Sequence, residues 1–348
     1  MAVSIIIGGQ YGSEGKGKVA YLWAKKMKAK AAVRVGGSNS GHTVYDEDGK
    51  VFAFRMLPTA CLLDDVVSIL PSGSYIDVPI LLKEIQVAGI MPEKLKIDPN
   101  AVIIKDEYKS EEQSMILRET IGSTLSGTGV AVIERIRRNK SNPILMAKDV
   151  EALKPFLADT KIYMRRLLAD GVHVIIEGTQ GYGLSNYHAK DYPYATSRDT
   201  TAAFFLAETG ISPFDVEHIV MTIRAFPIRV SGNSGPLEKE IDWQTVSKES
   251  GSEKYFEEKT TVTQKIRRVA RFDAKIVKEA IIANRPDIIV LNHLDYLDYS
   301  NKNIPQLTKN QKLFVEEIEE EIGRKIDYYG NGEMTVISPT VDKGELYL

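Results

Sequence analysis

Seven short apolar runs, rich in β-branched residues, recur along the chain at 3–7, 31–35, 66–70, 102–104, 172–176, 219–223 and 287–291. They lack strict alternation of apolar and polar residues, which is the pattern of strands covered on both faces of a sheet. Between them lie stretches with helical spacing, at 19–27, at 81–87 and at 311–322, where Leu313, Phe314, Val315, Ile318 and Ile322 are expected on one face. Gly323 is the expected stop of that last helix. Strands alternating with helices predict an α/β fold around a mostly parallel central sheet, with ligands at the carboxyl ends of the strands. No linker or internal repeat interrupts the pattern, so a single domain over 1–348 is expected. The polar stretch 247–261 is expected to be an exposed, mobile loop, and the acidic run 316–321 a solvated helix face.

Composition removes several classes of function. The 348 residues carry 45 Lys+Arg against 47 Asp+Glu, a net charge of −2, so there is no global basic field to hold polymeric DNA or RNA. Any nucleotide must be held by a local site. Cys61 is the single cysteine, which excludes an intrachain disulfide and a cysteine metal cluster. No apolar run approaches the length of a membrane span, and no leader is recognisable before the first strand, so a cytoplasmic protein with no membrane role is expected.

The first predicted strand runs directly into Gly8-Gly9-Gln10-Tyr11-Gly12-Ser13-Glu14-Gly15-Lys16-Gly17-Lys18, and a helix follows. Strand, glycine-rich turn and helix N-terminus together cradle phosphate: glycines admit backbone N–H groups to the oxygens, and the helix dipole and Lys16 add positive potential. The loop departs from the Walker A pattern. Gln10 stands where that motif has its first glycine, and Gly17 replaces the Ser/Thr that binds Mg²⁺. A magnesium ion must find oxygens elsewhere, for example on a carbonyl of the second glycine-rich segment, Gly36-Gly37-Ser38-Asn39-Ser40-Gly41-His42-Thr43. His42 of that segment is placed to stabilise charge on a transferring phosphoryl group.

These two loops resemble the signature loops of the adenylosuccinate synthetase family, whose members join aspartate to a purine nucleotide through a 6-phosphoryl intermediate. The resemblance extends through Ile121-Gly122-Ser123-Thr124 with Arg138, Glu177-Gly178-Thr179-Gln180-Gly181, Tyr192-Pro193-Tyr194-Ala195-Thr196-Ser197, the basic segment 261–268, and Asn292-His293-Leu294-Asp295. It implies a donor-nucleotide site from Ser13, Glu14, Gly15, Lys16, Gly17, Gly41, His42, Thr43, Asn292, His293, Asp295 and Gly330. It implies an acceptor-nucleotide site from Ser13, Asn39, Ser123, Thr124, Arg138, Gln180, Thr196 and Val230, with Arg138 reaching into the partner subunit of a homodimer. Aspartate falls to Val262, Thr263, Lys265, Arg267 and Arg268, Mg²⁺ to Ser13 and Gly41, and catalysis to Ser13, Lys16 and His42.

Two departures from the family pattern carry information. Ordinary members have an aspartate, acting as general base and metal ligand, where this chain has Ser13; a hydroxyl cannot replace it as a base at neutral pH unaided. It is shorter, however, and leaves room beside N1 for the 2-amino group of guanine. A serine here, in a shorter chain, resembles the phage-type branch that acts on dGMP and makes N6-succino-2-amino-2'-deoxyadenylate for DNA containing 2-aminoadenine. That branch implies ATP or a related adenine nucleotide as donor, although Asp295 could also accept from guanine. The second departure is in the basic segment, Val262-Thr263-Gln264-Lys265-Ile266-Arg267-Arg268, where two arginines remain to take the two carboxylates of aspartate. The alternatives are an ordinary synthetase using IMP and GTP, a GTPase-like switch, and an inactive homologue.

Overall fold

The computed structural model describes residues 2–260 and 264–338, so Val262 and Thr263, two of the residues expected at the aspartate, lie outside the described residues. Nine strands form one central sheet: β1 (Val3–Gly8), β2 (Ala31–Arg34), β3 (Val67–Leu70), β4 (Leu95–Ile97), β5 (Val174–Glu177), β6 (Val216–Arg224), β7 (Ile288–Asn292), β8 (Tyr328–Gly330) and β9 (Val336–Ile337). Their order is β9-β8-β7-β6-β1-β5-β2-β3-β4. Every neighbouring pair is parallel except β8 with the edge strand β9. The expected α/β architecture with a mostly parallel sheet is therefore present.

Both faces of β1 are covered, as its unbroken apolar run requires. Ile5 and Ile7 pack in one core with Phe205 and Met221, whereas Ile6 packs in another with Val19, Ala20 and Trp23 of helix α1 (Lys16–Lys26). Each such side chain contributes roughly 1.5–3 kcal/mol by leaving water. Gly323 ends the helix Lys309–Ile322 in the left-handed conformation at φ 70°, and Thr308 with Gln311 caps its start. On that helix Val315, Ile318 and Ile322 are buried, but Leu313 is exposed, one position off the apolar face expected for it. No helix among the described residues is long and apolar enough to cross a membrane.

Two expectations need correction, and three short strands carry no sequence signal. The run 102–104 does not join the main sheet; Val102–Ile103 pairs instead with Tyr75–Ile76. Strands β4, β8 and β9 have only two or three residues each, too short for a periodic signal. The described part of the stretch 247–261, residues 247–260, is exposed only in part: Gly251 and 253–255 are solvated loop, but the segment is anchored on both sides. Ser247 ends up buried in the helix Trp243–Glu249, Ser250 and Thr260 are buried, and Phe256 packs between Trp243, Tyr296 and Tyr299. Aromatic residues from distant segments cover a polar sequence that looked solvated by itself.

Candidate active site

Five adjacent parallel strands end on one side of the sheet, and their last residues are Asn292, Arg224, Gly8, Glu177 and Arg34 in order across it. Arg34 is registered with Glu177 and Arg224 with Asn292, so the polar strand ends form a row. A cleft of about 1040 Å³ opens above that row. Most residues expected at the site line it: Ser13, Gly15, Lys16, Gly17, Asn39, Gly41, His42, Thr43, Ser123, Thr124, Gln180, Thr196, Val230, Lys265, Arg267 and His293. Ser13, Gln180 and His293 hold left-handed backbones, with φ of 57°, 62° and 62°, which is uncommon outside glycine and concentrates at functional sites.

The glycine-rich loop 8–18 is braced from within by Glu14, whose role the sequence did not reveal. Its fully buried carboxylate accepts from the backbone of Gln10 at 3.1 Å and Gly12 at 2.7 Å, and from Lys16 Nζ at 2.6 Å. Lys16 is thereby held at the start of α1, facing the cleft. Gly15 lies against the side chain of Asn292, whose Nδ2 donates to the Glu14 carbonyl at 2.7 Å, so β7 fixes the loop from the other side.

His42 is anchored by two strand ends. Its Nδ1 lies 2.5 Å from Glu177 Oε1, and Thr59 donates from its backbone to Glu177 Oε2 at 2.8 Å. Arg34 Nη1 lies 2.7 Å from the same imidazole nitrogen. A nitrogen that donates to Glu177 cannot also accept, so Arg34 acts on His42 as a charge; its own hydrogen bonds go to Glu177, Gly178 and Ser40. Burial and the Arg34 charge outweigh Glu177 and push His42 down to about 3, so the imidazole is neutral at physiological pH. The matching carboxylate stays ionised: burial would raise Glu177, but His42 and Arg34 hold it below its usual range.

Ser13 sits in a cationic setting. Arg267 donates to its hydroxyl, and Arg224 donates to its carbonyl at 2.9 Å. Glu258 balances these charges by accepting from Arg224 and, at 2.8 Å, from Tyr296. Burial would raise Glu258, but Arg224, His293 and Arg267 hold it well below the carboxylate range. Arg268 departs from the expectation that it binds aspartate. Its guanidinium is bonded to Glu240 and, at 2.7 Å, to the Gly235 carbonyl, so Arg267 and the exposed Lys265 are the cations of this segment that face the cleft. Arg268 opens the strand Arg268–Ala270, whereas Arg267 lies just before it.

At one end of the cleft Asn39 Nδ2 donates to Thr196 Oγ1 at 3.2 Å. Arg138 is exposed beyond the helix Thr128–Arg137 and does not line the cleft of its own chain. Glu112, unanticipated, lines this end and accepts from the backbones of Gly127 and Gly129, each at 2.8 Å.

The opposite end closes on His293, Gly332 and Glu333. Asn292, Asp295 and Gly330 lie beneath it rather than in its wall; a Cβ on Gly330 would fall 1.9 Å from Asn292 Oδ1, so only glycine fits there. Asn292 Oδ1 and Asp295 Oδ1 are buried without a hydrogen-bond partner. Burial pushes Asp295 up to about 6 against the pull of Lys18 and Lys302, and brings Lys18 down to about 8. Lys18 Nζ donates to the Gly332 carbonyl at 2.9 Å, tying this end to α1.

Known proteins share this sequence pattern and fold. The sequence model of adenylosuccinate synthetase matches residues 5–149 and 144–304. Adenylosuccinate synthetases of Methanococcus aeolicus and Methanocaldococcus jannaschii are 34% and 35% identical over 339 residues, covering 95% of this chain and 97% and 94% of theirs. Among solved structures, the succinoaminodeoxyadenylate synthetase of cyanophage S-2L, bound to dGMP and dATP as an energy donor, superposes with a TM-score of 0.81 at 28% identity, covering 98% of this chain and 96% of that one. The fully ligated adenylosuccinate synthetase of Plasmodium falciparum shares the fold, with a TM-score of 0.84 at 21% identity over 98% of this chain and 100% of that one. A freestanding GTPase-like switch is thereby set aside: the chain belongs to the adenylosuccinate synthetase family, the carbon–nitrogen ligases that join aspartate to a purine nucleotide.

Proposed function

We propose that this ligase joins L-aspartate to dGMP at the expense of ATP, releasing ADP and phosphate and forming N6-succino-2-amino-2'-deoxyadenylate. The observation that carries the reading is Ser13, a hydroxyl held by Arg267 in the cleft where ordinary members of the family present a carboxylate. A short neutral side chain leaves space for the 2-amino group of guanine. The superposition on a cyanophage enzyme bound to dGMP and dATP supports it. A second reading, ordinary synthesis of adenylosuccinate from IMP and GTP, is favoured by the name of the archaeal relatives at 34–35% identity.

In the proposed reaction O6 of dGMP attacks the γ-phosphoryl of ATP, ADP leaves and the N1 proton passes to solvent water; the aspartate amine then displaces phosphate from C6 and gives up a proton to water in turn. Lys16 and the loop amides hold the donor phosphates. His42, neutral in the resting site, gains a proton when the anionic triphosphate arrives; Glu177 supports the resulting imidazolium, and Nε2 donates to the transferring group. Ser13 already accepts from Arg267 and serves as a hydrogen-bond partner of the purine rather than as its base. Asn39, Ser123, Thr124, Gln180, Thr196 and Val230 hold dGMP, and Arg138 completes the phosphate site of the partner in a homodimer. Arg267 and Lys265 take the aspartate carboxylates, with Val262 and Thr263 beside them.

The donors present suit a Mg²⁺ ion carried in with the nucleotide. Glu14 is committed to the loop, and no group of three or more His, Cys, Asp or Glu side chains among the described residues is arranged to hold a metal. The Ser13 hydroxyl and the Gly41 carbonyl would hold such an ion. When bound, it would neutralise charge on the β- and γ-phosphates.

The test is phosphate release with dGMP, GMP, IMP and dIMP, each with ATP or GTP, with and without aspartate. The largest aspartate-dependent release is expected with dGMP and ATP; a maximum with IMP and GTP would establish the second reading instead. Ser13→Asp should lower kcat/KM for dGMP more than for dIMP, by about 1–3 kcal/mol in the ratio.

A further inference from the structure

Beneath the contact between Asn39 and Thr196 lies a separate small cavity of about 10 Å³, with Gln180, Thr179 and Arg198 in its wall. Arg198 is 5% exposed, and its Nη2 donates to Glu208 Oε2 at 2.7 Å. The rings of Tyr75 and Phe204, 5.4 and 5.7 Å from the centre of the guanidinium, pack against it. Its other arm, Nη1, has no hydrogen-bond partner in the protein, and neither has Thr179 Oγ1, which is buried in the same wall. A buried polar group left unsatisfied is costly, so two of them around one cavity call for a polar occupant.

Size decides which occupant. About 10–15 Å³ of this kind of space accommodates one water, and a phosphate group needs several times more. We propose that the cavity holds a single internal water, bonded to Arg198 Nη1 and Thr179 Oγ1, that positions Asn39 and Thr196 for the purine nucleotide. Arg198 is then a positioning residue. Through the water, the Arg198–Glu208 pair, set by packing outside the cleft, governs the orientation of two side chains inside it. The effect on catalysis rests on the assignment of Asn39 and Thr196 to the acceptor nucleotide; the water itself does not.

The test uses three variants of the full chain, assayed with whichever of dGMP or IMP the parent accepts, so that failure of the dGMP reading leaves it intact. Thr179→Val removes the hydroxyl at nearly constant shape, Thr179→Ser keeps it, and Arg198→Lys keeps the charge facing Glu208 but loses the second arm. Thr179→Val and Arg198→Lys should raise KM for the purine nucleotide about five- to tenfold, with kcat and the KM of donor and aspartate nearly unchanged. Thr179→Ser should behave as the parent. An unmoved nucleotide KM, or a fall in kcat alone, overturns the positioning role. A high-resolution crystal structure of the parent checks the water independently, even if Arg198→Lys does not fold. One peak within hydrogen-bonding distance of both atoms is expected, and a dry cavity overturns the proposal.

Discussion

At the end of the cleft where β2 and β5 stop, both oxygens of the buried Glu177 are already taken up, one by His42 and Arg34 and the other by Thr59. At the end beyond β7, Asn292 and Asp295 each bury an oxygen with no partner, and Asp295 is pushed up to about 6. At the first end the carboxylate is fully engaged without substrate, although Arg34 Nε is buried with no partner. Groups that stabilise a developing charge work best when they need not reorganise during reaction, and this network is held by strand ends in a parallel sheet. The second end keeps two acceptors beneath the cleft without a protein partner; under the proposed function the donor purine would supply one, and the wrong base would leave them unsatisfied.

Four experiments bear on that contrast. Glu177→Gln should have the largest effect, because it leaves Arg34 buried without its counter-charge; a loss of about 3–5 kcal/mol in folding stability by urea titration is expected. A stability close to that of the parent would mean that the network is not tightly built. Lys16→Ala should reduce turnover by about 3–4 kcal/mol, some hundred- to thousandfold, while circular dichroism shows the fold retained. Near-normal turnover in the folded variant would remove Lys16 from the phosphate site. Asp295→Asn should act on binding instead, raising the donor KM roughly tenfold with kcat kept. A drop in kcat with unchanged KM would place Asp295 in the chemistry and dissolve the distinction between the two ends.

The smallest effect concerns pH. The unfolded chain protonates His42 as pH falls through its usual value near 6.5. In the folded protein His42 stays neutral down to about 3, so only the unfolded state gains that proton in the interval. Stability therefore falls with pH, by about 1 kcal/mol between pH 6.5 and 5.5 from this group. Melts of His42→Gln beside the parent across that range should show the variant less sensitive to acid. Identical slopes would mean that His42 is not buried neutral.

That the two glycine-rich loops and His42 line the cleft could be read from the sequence because the signal is local: a strand, a glycine-rich turn and a helix start stand within eleven residues, 8–18, and the second loop repeats the logic. The helix stop at Gly323 was local too. The brace supplied by Glu14, the anchoring of His42 by Arg34 and Glu177, and the link from Arg267 to Ser13 were not legible. The last two join residues up to 254 positions apart, and Glu14 looks like any loop carboxylate until its burial is known. The same reason explains Arg268, which has the sequence environment of Arg267 but is claimed by Glu240.

The sequence by itself determined the fold class, the order of the motifs and the family, because apolar periodicity and glycine-rich turns act over a few residues and survive without knowledge of the partner segments. Tertiary structure alone decided which charged groups face the cleft, which are neutralised behind it, and which proton His42 lacks. Those properties depend on burial and on charges brought close by the register of β2 with β5 and of β6 with β7. An electrostatic environment is a sum over neighbours in space, and only the folded sheet specifies who those neighbours are.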